Sequence, residues 1–258
     1  MSHMEKRKKE TTSWGSVADW YSSYLETTED SYQKQVILPN LLRVLALKPG
    51  MKLIDIACGQ GFFSREFAAA GAEVVASDIA QPLIAQAKKL SGKTVQYYVA
   101  PADNLNFTKS GLFDAATIVL AIQNIKNIEG TFAEAKRVLK PGGKLVMVLM
   151  HPAFRIPQHS SWGFDEETQE QYRRVDTYLS AQKVELLVHP GKKGSATTTS
   201  YHRSLQDFSK ALFKAGFSIT RLEEWISHKQ SQKGPRQKTE DTARKEIPMF
   251  LMLECKSN

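Results

Sequence analysis

Short apolar runs alternate with amphipathic stretches through most of this chain. Five runs, at 51–57, 73–78, 95–99, 112–120 and 143–150, are strand-length and rich in Val, Ile, Leu, Ala or Tyr. The segments between them carry apolar residues at helical spacing. That alternation predicts an α/β fold, a doubly wound parallel sheet with helices on both faces. A helix over 62–70 follows the first run, and the helix after Asp78 opens on Pro82, which suits a first turn. Phe132, Ala135 and Leu139 mark the core stripe of another. Upstream, 17–25 predicts a short helix bearing Trp20, Tyr21 and Tyr24, and 30–47 a second, kinked or restarted at Pro39. Further on, Ser204 and Asp207 have capping-box spacing for a helix with Leu205, Phe208 and Leu212 on one face, which Gly216 stops. Two more strands are predicted at 217–225 and 247–255, and the polar, basic stretch 231–239 between them reads as a mobile loop.

The first strand runs through Asp55 and Ala57-Cys58-Gly59-Gln60-Gly61 straight into a helix. Gly59 and Gly61 permit a tight turn and close approach of a ligand to the backbone. The helix that follows aims free N–H groups and a partial positive charge back at the turn, which suits a phosphate or a carboxylate. Asp78, 17 residues beyond Gly61, ends the second strand and can accept hydrogen bonds from ribose hydroxyls. The spacing is close to that of a dinucleotide site, but Ser64 stands where a third glycine belongs, after Phe62 and Phe63. A pyrophosphate usually wants that glycine, whereas a compact amino-acid carboxylate does not need it.

Four segments in order resemble the class I S-adenosylmethionine-dependent methyltransferases of the small-molecule type. They are Ile54-Asp55-Ile56-Ala57-Cys58-Gly59-Gln60-Gly61, then Asp78 with Ile79, then Ala102-Asp103-Asn104-Leu105, and Leu139-Lys140-Pro141-Gly142-Gly143-Lys144-Leu145. The resemblance spans roughly residues 17–150 and implies a Rossmann-like, seven-stranded, mostly parallel sheet whose last strand is antiparallel. It implies that Asp55, Ala57, Gly59 and Gly61 cradle the methionine end of S-adenosylmethionine, spent as S-adenosylhomocysteine. Asp78 would grip the ribose hydroxyls, Ile79 would lie beside the adenine, and Ala102, Asp103 and Asn104 would cap that ring. Tyr21 would meet the cofactor's carboxylate, and Leu120, at the end of the fourth strand, joins the same set. The sequence departs from the family at Ala57, where the first glycine of the usual motif would stand; the turn should survive with a slightly tighter pocket.

With 258 residues and 41% hydrophobic content, one domain has ample core. The chain divides into a tail at 1–12 that begins with a cloning scar, Met1-Ser2-His3-Met4, and a single domain at 13–258. Within that domain lie a helical lid at 13–47, a cofactor core at 48–150, an insertion at 151–203 and the final helix and strands at 204–258. No apolar run reaches membrane-spanning length and no secretory signal is visible. With Cys58 and Cys255 expected to stay reduced, a cytoplasmic location and no membrane partner are expected.

The insertion is rich in aromatic, His and Arg residues and follows a strand end, where ligands bind in open sheets. It therefore predicts a lid or pocket wall for a small-molecule substrate. If the acceptor must lose a proton, His151 is the best-placed base, ahead of His202, because an imidazole titrates near neutrality. No His/Cys cluster has metal-site spacing, and Leu120-Ala121-Ile122-Gln123-Asn124 lacks the motif of amino-methylating nucleic-acid enzymes. Net charge is +8, and the basic stretch 229–245 keeps RNA or protein open as an alternative acceptor. A nicotinamide-dependent enzyme or a non-catalytic cofactor binder is the remaining alternative.

Overall fold

The structure is a computed structural model describing residues 14, 18–187 and 197–258, with residues 18–21 and 24 described for the backbone alone. Seven strands form one sheet: β1 (Lys52–Ile56), β2 (Glu73–Asp78), β3 (Val95–Val99), β4 (Phe113–Val119), β5 (Leu139–Met150), β10 (Phe217–Trp225) and β11 (Phe250–Ser257). Their order is β10-β11-β5-β4-β1-β2-β3. β11 runs antiparallel to both of its neighbours, and the pairs among β1 to β5 are parallel. This is the Rossmann-like arrangement expected, with strand order reversing between β1 and β4, where open sheets hold ligands.

Side chains alternate across the sheet, so neighbours along one strand join different cores. Leu53, Val146 and Met252 belong to one apolar cluster, which takes in Leu41 and Phe67. Ile54, Met147 and Leu253 belong to the other, with Phe132 and Leu212. The helices α2 (Leu38–Leu45), α3 (Phe62–Ala69) and α4 (Gln81–Ser91) bury residues in the first; α5 (Ile128–Val138) and α6 (Leu205–Lys214) do so in the second. Ahead of them, α1 (Ala18–Thr27) contributes Leu25 to the first cluster. Pro39 sits in the first turn of α2, after a π-helical turn over Gln33–Ile37 that takes up the hydrogen-bond mismatch a proline imposes. Ser204 and Asp207 make the expected capping box.

Two regions take elements that the sequence pattern does not mark. The insertion is two antiparallel hairpins, β6 (Ser160–Asp165) with β7 (Glu170–Val175), and β8 (Gln182–Leu187) with β9 (Thr197–His202). The stretch read as a mobile loop to Thr239 becomes helical at Gln237, in α7 (Gln237–Glu246). This helix braces the first hairpin. Thr239 donates to the Gln169 carbonyl, and Arg236, just before it, pairs with Glu166 at 2.5 Å and lies 3.9 Å from the Phe164 ring centroid.

Candidate cofactor and acceptor site

The glycine turn joins the end of β1 to α3. Ala57, Gly59 and Gly61 all have left-handed backbone, with φ of 58°, 59° and 81°. Arg65 N is the first amide to bond back, to the Gly61 carbonyl at 3.0 Å. The amides of Phe62, Phe63 and Ser64 before it therefore have no intrahelical acceptor. Gly61 is required on a second ground: a Cβ there would lie 2.3 Å from Tyr97 Oη, which Ser91 Oγ holds at 2.7 Å.

Ser64, in place of the third glycine, donates to Asp55 at 2.6 Å, and Thr117 donates to the other Asp55 oxygen at 2.8 Å. Asp55 is 2% exposed, and burial pushes its carboxyl up to about 6. Its two oxygens serve the turn, tying β1 to α3 and β4. Neither serine nor threonine betrays this in the sequence, because each contact joins different elements.

Asp78 ends β2 beside the turn. One carboxylate oxygen accepts from Gly59 N at 2.9 Å, the other from Ala80 N at 2.8 Å. Each oxygen keeps a lone pair for a further donor. Burial raises its pKa, and the two backbone amides oppose that rise. Half-buried Ile79 follows directly. The loop with Ala102, Asp103 and Asn104 is fastened to α5: Asn127 donates to Asp103 at 2.8 Å, and Leu105 N donates to Glu134 at 2.6 Å. Arg137 grips Glu134 and donates to the carbonyls of Leu105 and Thr108. At the other side of the turn, Arg65 donates to Gln60 and to Glu26 of α1, clamping the N-terminal helix over the turn. The side chains of Trp20, Tyr21 and Tyr24 lie outside the described residues.

Beyond the carboxyl ends of β4 and β5 is a cavity of about 720 Å³. Leu120, Gln123 and Asn124 line it from the end of β4, Leu149 and Met150 from β5, and the insertion supplies much of the remaining wall. Leu120 holds a left-handed φ of 53°, a costly conformation for a side chain of that bulk. The structure does not bring His151 to this cavity. Its ring is 2% exposed, Nε2 lies 2.7 Å from Glu224 on β10, and Nδ1 accepts from Ala153 N at 3.2 Å. Burial lowers its pKa and Glu224 counters that. Both nitrogens are engaged, and the ring fastens the root of the insertion. His202 does line the cavity; its Nε2 donates to the Tyr178 carbonyl at 2.8 Å, which leaves the neutral ring's lone pair on Nδ1. Among the described residues no group of three or more His, Cys, Asp or Glu is arranged to hold a metal ion, and no helix is long and apolar enough to cross a membrane. Both cysteines are free thiols.

A mostly parallel sheet with a glycine turn, an acid at the next strand end and a cavity beyond the carboxyl edge defines a cofactor-binding α/β protein. Residues 54–147 match the family described as Methyltransferase domain. Demethylmenaquinone methyltransferase from Renibacterium salmoninarum is 36% identical over 107 residues, 41% of this chain and 44% of that protein. Biotin biosynthesis bifunctional protein BioHC from Cellvibrio japonicus is 30% identical over 132 residues, 51% of this chain and 24% of that protein. The chain thus spans about half or less of the curated relatives it matches. Among solved structures, an S-adenosylmethionine dependent methyltransferase from Mesorhizobium loti superposes with a TM-score of 0.66 at 24% identity, covering 84% of this chain and 96% of that one. Residues 54–147 thus match the methyltransferase family, and the fold is one shared with a solved S-adenosylmethionine dependent methyltransferase.

The residues present fit that family's cofactor, S-adenosylmethionine. Asp78 offers two acceptor positions for a ribose diol, and the unpaired amides at the start of α3 suit a carboxylate.

Proposed function

We propose that this chain moves the methyl group of S-adenosylmethionine to a small-molecule acceptor held in the insertion-walled cavity. The observation that carries this reading is a cavity of about 720 Å³ that opens at Leu120, just past the end of β4, the strand that pairs with β1 ahead of the glycine turn. That volume suits a small organic ligand. The curated relatives named for menaquinone and biotin biosynthesis also favour a small acceptor.

The cofactor supplies an electrophilic methyl on a sulfonium. The work of the chain is then to orient donor and acceptor and exclude water, and orientation can contribute about 7–11 kcal/mol. Asp78 would hold the ribose, the glycine turn the amino-acid end, and the loop at 102–104 the adenine. For an acceptor that sheds a proton, His202 fits the role of base better than His151, since it lines the cavity.

Calorimetry with S-adenosylmethionine, S-adenosylhomocysteine and NAD tests this reading. We expect both adenosyl ligands to bind and NAD not to, and Asp78→Ala to weaken S-adenosylhomocysteine at least ~100-fold, because hydrogen bonds to a charged group contribute about 1.5–3 kcal/mol each. Binding of NAD alone would overturn it. Methylation of RNA or protein has less support: in the basic stretch Lys229 pairs with Asp30, Arg236 with Glu166, and Arg244 donates to Ser231.

A further inference from the structure

We infer that the acceptor joins an apolar body to an oxyanion group, a carboxylate or a phosphate, and that Arg155 and Arg203 bind that group. This rests on the cavity being the acceptor site. Its walls carry Leu120, Leu149, Met150, Ile156 and Phe208, so most of the surface offered to a ligand is apolar. The charged groups among its described lining residues are of one sign only. Arg155, Arg173 and Arg203 line it, and no Asp or Glu does.

Half-buried arginines ordinarily find a carboxylate. Arg173 and Arg203 are instead fixed by neutral acceptors: Arg173 donates to the Phe154 carbonyl at 2.8 Å and to Ser160 Oγ at 2.8 Å. Arg203 Nη2 donates to the carbonyls of Ile125 at 2.9 Å and Lys126 at 2.7 Å. These contacts orient the guanidinium groups without neutralising them. Asp207 acts on Arg203 by charge without a hydrogen bond to it, and spends one carboxylate oxygen on the Ser204 amide and hydroxyl.

Two donors then remain over. Among the described residues, Arg155 Nε and Arg203 Nη1 are both buried with no hydrogen-bond partner. Arg155 lies 5.4 Å from the centroid of the Trp162 ring, which Arg173 approaches to 5.2 Å. Burial, with Arg173 as the second cause, pushes the Arg155 pKa down to about 10. An anion in the cavity would supply these guanidinium groups with the counter-charge that their neutral partners do not, and relieve that electrostatic cost. The guanidinium fork matches carboxylate and phosphate geometry, so either group fits.

The test uses the full chain saturated with S-adenosylhomocysteine and three probes that share one apolar body: 2-naphthoate, 2-naphthyl phosphate and neutral 2-naphthamide. Calorimetry or ligand-observed NMR should find one anion binding at least ~10-fold tighter than the amide, about 1.4 kcal/mol. Whichever anion is tighter names the group. Arg155→Gln should remove that preference while S-adenosylhomocysteine affinity and melting temperature hold, because the Arg155 side chain makes no hydrogen bond among the described residues. Arg203→Gln should weaken the anion similarly, and Arg155→Lys should restore part of it. Equal binding of the amide, no anion binding by about 5 mM, or an unchanged anion affinity in Arg155→Gln would overturn the inference. Loss of S-adenosylhomocysteine affinity in Arg155→Gln would overturn it too, by assigning the arginine to the cofactor. Failure of the unmutated chain to bind S-adenosylhomocysteine strikes instead at the methyltransferase reading.

Discussion

Two non-glycine residues just past strand ends at the site hold left-handed backbone, Ala57 at φ 58° and Leu120 at φ 53°. Such conformations cost roughly 1–2 kcal/mol for an L-residue, and they persist where surrounding structure over-determines them, as sites often require. At Ala57 the methyl group is the whole difference from the family's usual glycine. Glycine removes the strain but adds unfolded-state freedom worth about 0.5–1 kcal/mol. Ala57→Gly should therefore leave a net stabilisation of about 0.5–1 kcal/mol, read as a higher urea midpoint at unchanged slope. A lower midpoint would show that the methyl packs favourably and that the turn is unstrained. Gly61 stands in the opposite position, since Tyr97 leaves no room for a side chain.

Among the elements, the loop at 102–105 is irregular, and it takes its shape from α5. Glu134 accepts from Leu105 N and from Arg137, and Arg137 reaches two further loop carbonyls. Glu134→Ala should free the loop and raise the dissociation constant for S-adenosylhomocysteine about 3- to 10-fold, about 0.7–1.4 kcal/mol, with stability lowered by about 1–2 kcal/mol. An unchanged dissociation constant would show that the loop holds its shape without α5. The same scale explains what could be read in advance. Buried parallel strands are written as continuous apolar runs, so the strands from β1 to β5 were legible to within a few residues. The hairpin strands β6 and β7 have no fully buried position, so no alternation marks them. α7 buries only Ala243 and presents no stripe. His151 was legible as a strand-end residue, but the direction of its ring depends on Glu224, 73 residues away. The glycine turn and Asp78 were readable as a strand–turn–helix and a strand end because glycine spacing and a terminal acid are local, whereas the arginines of the cavity are assembled from distant segments.

For the whole molecule, the His151–Glu224 contact links β5 to β10 across the intervening β11, at the point where the insertion leaves the sheet. Acid should loosen that pin. Burial holds the folded-state pKa of His151 below its ordinary 6.5, so between those two values the unfolded chain binds more protons and stability rises with pH. The His151 contribution is complete above about pH 6.5 and is lost as pH falls through that value toward the folded pKa. Asp55 acts with the opposite sign: burial raises it from 3.8 to about 6. Its contribution is complete below its ordinary value and is lost as pH rises through about 6. Acidification of the unmutated protein thus sums two opposed effects, and its stability curve alone identifies neither. Substitution separates them. At pH ~7.5 His151→Gln should be less stable by about 1–3 kcal/mol, the cost of disturbing a buried hydrogen-bonded group. At pH ~5.5 the gap should narrow, because only the unmutated protein loses the imidazole's contribution while Asp55 changes alike in both. Urea midpoints at the two pH values measure this directly. A gap that widens on acidification would mean that His151 is protonated in the fold and pairs with Glu224 as an ion, reversing the sign derived from its burial.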